Sequence, residues 1–176
     1  FSSQGIPLCV SIWRLPEWLD QDPGDPAETF NRHGRRLADD AWPELLECIG
    51  TYLDHAKRAY GAEPEFLSFN EPDGGWQVKL SARRHAEFIV KAGDHLAERG
   101  LKTTMILGDC AHADGMDYVL DAMGTEGVLE RTGALAFHSW NSAAETYAGW
   151  RRLARRIGLP LLVTESGVDP QAWRYP

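Results

Sequence analysis

Short apolar runs alternate with longer amphipathic stretches along this chain, and that rhythm restricts its fold more than any other feature. Segment 6–12 has the length and composition of a strand. Segment 40–60 predicts a helix: Pro43 sits in its first turn, Leu45, Leu46, Ile49, Leu53 and Ala56 form an apolar stripe, and Gly61 stops it. A strand follows over 65–70. Segment 81–99 is a second helix, with Phe88, Ile89, Ala92 and Leu96 on one face and Gly100 beyond its end. The pattern continues with a strand over 102–107, a short helix over 115–123 and a strand over 134–137. A helix over 142–157, opened by the capping-box pair Ser142 and Glu145 and closed by Gly158, leads to a last strand over 160–164. Five strands separated by helices make an α/β protein with parallel strands. The strands are nearly unbroken apolar runs, as expected when both faces are covered.

Two architectures satisfy that pattern, a doubly wound open sheet and a (β/α)8 TIM barrel. The Gly-rich phosphate fingerprint of a dinucleotide fold follows none of the strands. Instead, distinctive polar or aromatic residues stand at the C-terminal ends of several different strands: Trp13, Asn70, Glu71, Asp109, His138 and Glu165. A barrel draws its active site from those ends, so the barrel is the expected fold. Five strands do not close an eight-stranded barrel. The whole span 1–176 is therefore expected to be one catalytic barrel domain, incomplete at both ends. The N-terminal Phe1-Ser2-Ser3-Gln4-Gly5 has no Met and none of the features of a signal peptide, as expected of an excised or processed segment.

Composition narrows the partners. A net charge of −8 argues against a broad nucleic-acid surface, and no apolar run approaches the roughly 20 residues that span a bilayer. Cys9, Cys48 and Cys110 form no CxxC pair and read as buried free thiols. Seven tryptophans are many for 176 residues. Trp13, Trp18, Trp76 and Trp140 sit beside polar residues near strand ends, where flat aromatic faces suit the apolar C–H faces of sugar rings.

Glu71 ends the run Phe66-Leu67-Ser68-Phe69, and Glu165 ends Leu161-Leu162-Val163. In a parallel sheet both strand ends emerge on one side, so the two carboxylates open into one mouth. Two carboxylates across a cleft support glycosidic bond cleavage, one protonating the leaving oxygen and the other attacking the anomeric carbon. No cofactor and no metal is needed for that chemistry.

At these residues the chain resembles glycoside hydrolase clan A, nearest to family 30, with families 39 and 5 as neighbours. Phe69-Asn70-Glu71-Pro72 is similar to the strand-4 motif, and Val163-Thr164-Glu165-Ser166-Gly167 to the strand-7 segment. Ala136-Phe137-His138-Ser139-Trp140 resembles strand 6, with Trp where Tyr is commoner. Leu107-Gly108-Asp109 resembles the end of strand 5, and Ser11-Ile12-Trp13 with Pro16 and Trp18 the end of strand 3. The resemblance implies that the chain covers about five central β-α units, strands 3 to 7. It implies Glu71 as acid/base, Glu165 as nucleophile, and retention through a covalent glycosyl-enzyme. It places Asn70 on the sugar 2-hydroxyl and Trp13, Asp109, His138 and Trp140 among the substrate-binding residues. The implied partner is a glycoside, oligosaccharide or polysaccharide, met for the most part outside the cytoplasm.

Two other readings compete. Asp109, His112 and Asp114, with His138 one strand on, could serve a metal-dependent hydrolase on the same barrel, although no strand carries a His-x-His pair. A non-catalytic carbohydrate-binding barrel is the other, and the presence of both glutamates and Asn70 weighs against it. His33, His55, His85 and His95 fall in a loop or on helices and read as surface or capping residues. Arg151, Arg152, Arg155 and Arg156 read as a solvated face, with Leu153, Ala154 and Ile157 turned inward.

Overall fold

The apolar rhythm becomes strands and helices in the predicted order. The structure, a computed structural model, describes residues 4–19, 36–74, 78–140 and 143–167. His33, Trp76 and Ser142 lie outside the described residues, and with Ser142 the predicted capping box. Strand β1 (Cys9–Ile12) is followed by helix α1 (Trp42–Tyr60), strand β2 (Phe66–Phe69) and helix α2 (Ala82–Glu98). Strand β3 (Thr104–Cys110), helices α3 (Met116–Met123) and α4 (Val128–Arg131), and strand β4 (Thr132–His138) come next. Helix α5 (Ala144–Ile157) and strand β5 (Leu161–Glu165) complete the order.

All five strands are parallel and lie in sequence order, β1-β2-β3-β4-β5. A doubly wound sheet reverses its order at a switch point and covers both faces with helices. Among the described residues this sheet does neither. Leu67, Phe69, Met105, Leu107, Leu135 and Phe137 face the helices, in one cluster with Phe88, Ile89 and Trp150. The opposite face carries a small cluster drawn from strands alone: Phe66, Ile106, Ala134 and Ala136, with Leu162 against it. That one-sided covering is a partial (β/α)8 barrel, with the strand-only cluster on the inside of the curve.

The helices bury the faces their sequences predict. Leu45, Ile49 and Leu53 are buried on α1, and Phe88, Ile89, Ala92 and Leu96 on α2. The Ser81 hydroxyl accepts from the Arg84 N–H at 3.3 Å and caps α2. On α5, Leu153 and Ala154 are buried while all four arginines are exposed. No helix among the described residues is long and apolar enough to cross a membrane.

Several expectations are corrected. Strand β1 starts at Cys9 rather than at position 6, since Pro7 has no N–H to donate to a ladder. Strands β3 and β4 run further than expected because bulges let pairing continue past their glycines. Helix α4 was not expected at all; four residues leave no legible stripe. Cys9 and Cys48 are exposed, and only Cys110 is buried. Cys48 lies at the margin of the α1 stripe rather than within it, and β1 is the outermost strand of the described sheet.

Candidate active site

Two irregularities in the ladder shape the C-terminal rim of the sheet. Between β3 and β4, Gly108 pairs with Ala136 and Cys110 with Phe137, which leaves Asp109 as the extra residue of a bulge. Between β4 and β5, Phe137 pairs with Val163 and His138 with Glu165, which leaves Thr164 extra. Bulges re-aim side chains and concentrate near functional sites. Here the two extra residues meet, the Thr164 hydroxyl donating to Asp109 Oδ1. Glu71 and Asp109 are the only non-glycine residues with positive φ among the described residues, at 45° and 57°. Such backbone costs energy and persists where the surroundings enforce it. The Glu71 N–H donates to the Asp109 carbonyl at 3.0 Å, which ties the two together. Gly108 enters this turn at φ 99°, and a Cβ there would lie 2.5 Å from the Ala136 carbonyl oxygen. Only glycine fits that approach.

The geometry brings Glu71, His138 and Glu165 together. One donor atom from each lies within 4.8 Å of the other two. His138 Nδ1 is 2.9 Å from Glu71 Oε1 and 3.5 Å from Glu165 Oε2. The Trp140 indole N–H donates to Glu165 Oε2 at 3.2 Å. The Ser139 N–H donates to the Glu165 carbonyl at 2.9 Å and holds the end of β5 against β4. Both glutamates are half-buried, while His138 has no exposed surface.

Below this group lies a buried polar layer. Asp109, 2% exposed, accepts from the Ser68 hydroxyl at 2.5 Å and from the Thr164 hydroxyl. Its Oδ1 sits 3.3 Å from His138 Nε2, an ion-pair distance reached off the line of a good hydrogen bond. Burial opposes the charge on Asp109, yet His138, Ser68 and Thr164 outweigh it and hold the carboxyl below its ordinary value. Burial likewise opposes a charged His138. Asp109, Glu71 and Glu165 prevail and push the imidazole up to about 9, so it is a cation at neutral pH.

Sequence reasoning missed part of this layer. His85, read as a surface or capping residue, is fully buried, and its Nε2 accepts from the Gly108 N–H at 3.2 Å. Burial lowers its pKa to about 4 against the pull of Asp109, so it is neutral. A signal was present: His85 falls on the same helical stripe as Phe88, Ile89, Ala92 and Leu96. Ser68 and Thr164 were also missed, although each is a hydroxyl interrupting an apolar strand.

The other expected residues lie as follows. Asn70 follows β2 with 6% exposure, its N–H donating to the Ile12 carbonyl at 3.0 Å. Trp13 and Trp18 are 48% and 58% exposed just after β1. The cluster that the competing metal-hydrolase reading would need does not assemble. Asp109 is engaged within the sheet, the His112 ring donates to the Trp140 carbonyl at 3.0 Å, and Asp114 is exposed. Among the described residues the one group able to gather on an ion is Glu71, His138 and Glu165. A protonated imidazole is no ligand, so an ion there would first have to displace a proton.

No known family and no curated protein matches the sequence. Solved structures do match in fold. An endo-β1,6-glucanase aligns at TM-score 0.78 and 16% identity, over 96% of this chain and 39% of its own. SrfJ from Salmonella typhimurium aligns at TM-score 0.76 and 22% identity, over 93% and 37%. A GH30 endoxylanase from Clostridium papyrosolvens aligns at TM-score 0.72 and 17% identity, over 96% and 42%. The chain thus spans about two fifths of the length of these structures. In fold, it is a run of five β-α units of the (β/α)8 barrel that these structures share, a GH30 endoxylanase among them.

Proposed function

We propose that this chain carries the catalytic carboxylates of a retaining glycoside hydrolase acting on a glycoside, oligosaccharide or polysaccharide. The observation that carries this reading is the approach of Glu71 and Glu165 to within 4.8 Å across one mouth. Retaining enzymes hold their carboxyl groups about 5–5.5 Å apart, and inverting ones roughly 6.5–9.5 Å, to admit a water. The short separation favours retention. The likeness in fold to a β-glucanase and a GH30 endoxylanase supports the same class of substrate.

The roles follow from the chemistry. A Glu165 oxygen attacks the anomeric carbon as the glycosidic C–O bond breaks, and the leaving oxygen takes the proton of Glu71. Water then attacks the same carbon, gives its proton to Glu71, and releases Glu165 as a carboxylate. The Trp140 indole N–H orients the attacking carboxylate. Asn70, beside the acid/base, is the candidate donor to the sugar 2-hydroxyl, a bond that strengthens as charge develops next to it. Trp13 offers an open aromatic face to a sugar ring. Asp109 and His138 are committed to protein partners, which favours a supporting role over sugar contact.

A panel of nitrophenyl glycosides tests the activity and reports the sugar. Glu165→Gly should be inactive alone and should form a glycosyl azide of inverted configuration when azide is added. Turnover by Glu165→Gly without azide at the wild-type rate would exclude the nucleophile assignment.

A further inference from the structure

We propose that His85 is a positioning residue for Glu71: from the helix side it accepts the Gly108 N–H, which holds the left-handed Gly108–Asp109 turn, and that turn holds the acid/base. The inference rests on the retaining reading for the role of Glu71 and adds to it a residue of the helix layer. Its first support is a chain of bonds. His85 Nε2, on α2, accepts from the Gly108 N–H at 3.2 Å. Gly108 and Asp109 then run at φ 99° and 57°, and the Asp109 carbonyl accepts from the Glu71 N–H at 3.0 Å. Glu71 itself stands at φ 45°. A residue's N–H lies in the peptide plane that its φ turns, so holding the Gly108 N–H fixes the entry to this turn. The β2–β3 register ends at Leu67–Met105, and Gly108 lies beyond the ladder on that side. A buried N–H must find an acceptor somewhere, and here a side chain supplies it.

The second support is what the imidazole costs. His85 has no exposed surface and shares the apolar stripe of Phe88, Ile89, Ala92 and Leu96. When Nε2 accepts, the proton of the neutral ring is on Nδ1, and Nδ1 has no hydrogen-bond partner among the described residues. An orphaned buried donor is destabilising, and an apolar residue would fill the stripe without one. The imidazole is explained by what its other nitrogen holds. The titratable groups facing the ring are Asp109 on β3 and Tyr118 on α3, whose ring lies 5.6 Å away. Burial prevails over Asp109 and keeps the ring neutral, so Nε2 stays an acceptor at neutral pH.

Without that acceptor the Gly108 N–H turns to find another, and its peptide plane turns with it. The left-handed turn then loses its anchor on the helix side. Asp109 relaxes toward ordinary backbone, and its carbonyl swings away from the Glu71 N–H. Glu71, strained at positive φ, is free to follow. Its carboxyl then leaves the place where Oε1 lies 2.9 Å from His138 Nδ1. His85 itself bonds to the backbone of the turn and moves no proton; it acts on the rate through geometry alone.

Wild type, His85→Leu and His85→Gln together test this. Leucine fills the stripe but offers no acceptor, whereas the glutamine side-chain oxygen accepts from Gly108 in place of the ring. Amide hydrogen exchange followed by NMR reads the turn. In His85→Leu the Gly108 and Glu71 amides should exchange about tenfold faster or more, while Ile89 and Ala92 on α2 keep the wild-type rate. On an aryl glycoside kcat should fall by about tenfold to a hundredfold with KM unchanged, the loss expected of a misplaced catalytic group. His85→Gln should restore slow exchange and most of kcat. Fast exchange confined to Gly108 would overturn the coupling to Glu71, and fast exchange at Glu71 with normal kcat would show the turn to be structural only. Fast exchange at Glu71 in His85→Gln overturns the acceptor role whether or not His85→Leu folds. A wild-type chain that hydrolyses no glycoside defeats the proposed function instead, and the exchange rates then still decide whether His85 holds Glu71.

Discussion

The two faces of the sheet are built from the same five strands to different rules. On the helix side, Phe69 meets Phe88 edge-on at 5.1 Å, and Phe137 stacks on Trp150 at 4.9 Å. These are large apolar side chains in close contact, and they supply stability. On the inner side the side chains are apolar toward the strand N-termini and polar toward the C-termini, where Ser68, Asp109, His138 and Thr164 bond to one another. A buried network of this kind is costly to assemble, and under the proposed function its return is the orientation of the two glutamates above it. One face stabilises the fold and the other spends some of that stability on the site.

The comparison can be broken most sharply at Glu165. Glu165→Gln should lower turnover of an aryl glycoside by about 10^4-fold or more, roughly 5.5 kcal/mol of barrier, and leave thermal unfolding close to wild type. A mere tenfold loss would move the nucleophile elsewhere. Trp150→Ala attacks the other face. It deletes a fully buried ring and the donor to the Ala113 carbonyl at 2.6 Å, and should cost about 3–5 kcal/mol of stability in denaturant unfolding. The fraction that remains folded should keep near-normal KM, because Trp150 is fully buried and touches none of Glu71, His138 and Glu165 in the hydrogen bonds that hold them. A large change in KM at unchanged stability would show that the two faces are not separable.

The inner layer also predicts a pH dependence of stability. The folded pKa of His138, about 9, lies above the unfolded value of roughly 6.5. Its contribution is therefore fully present below about pH 6.5 and is lost as pH rises through about 9. Relative to His138→Gln, wild type should lose about 3 kcal/mol over that window and nothing further beyond it. A flat difference across the same range would mean that the imidazole is not charged in the fold. The smallest effect lies on the helix side: Ser81→Ala removes the α2 cap and should cost about 1 kcal/mol of stability with unchanged kcat/KM.

The outer face was legible in the sequence because it obeys a period. Leu45, Ile49 and Leu53, or Phe88, Ala92 and Leu96, recur at helical spacing, and apolar runs of strand length separate them. Glu71 and Glu165 were legible for the opposite reason, each being a charge that ends such a run. The polar layer was not. Its geometry depends on two bulges, and a bulge is a property of how two strands pair rather than of either strand alone. Asp109 therefore read as a residue at the mouth, although the extra residue in β3 turns it inward to Ser68 and Thr164. His85 was readable and missed, because a position on a helix, away from the strand ends, does not by itself place a side chain on the surface when it shares the apolar stripe. Asp109, His112 and Asp114 are close in sequence, but the turn after β3 sends them in different directions.

The central claim, that Glu71 and Glu165 work as a retaining pair, is tested most directly by the configuration of the first product. Proton NMR can follow hydrolysis of an aryl β-glycoside on a timescale faster than mutarotation. The account predicts that the β-hemiacetal appears first, with the α-anomer growing in only at the spontaneous rate. An α-hemiacetal formed first would mean single displacement by water, and would contradict the covalent role assigned to Glu165.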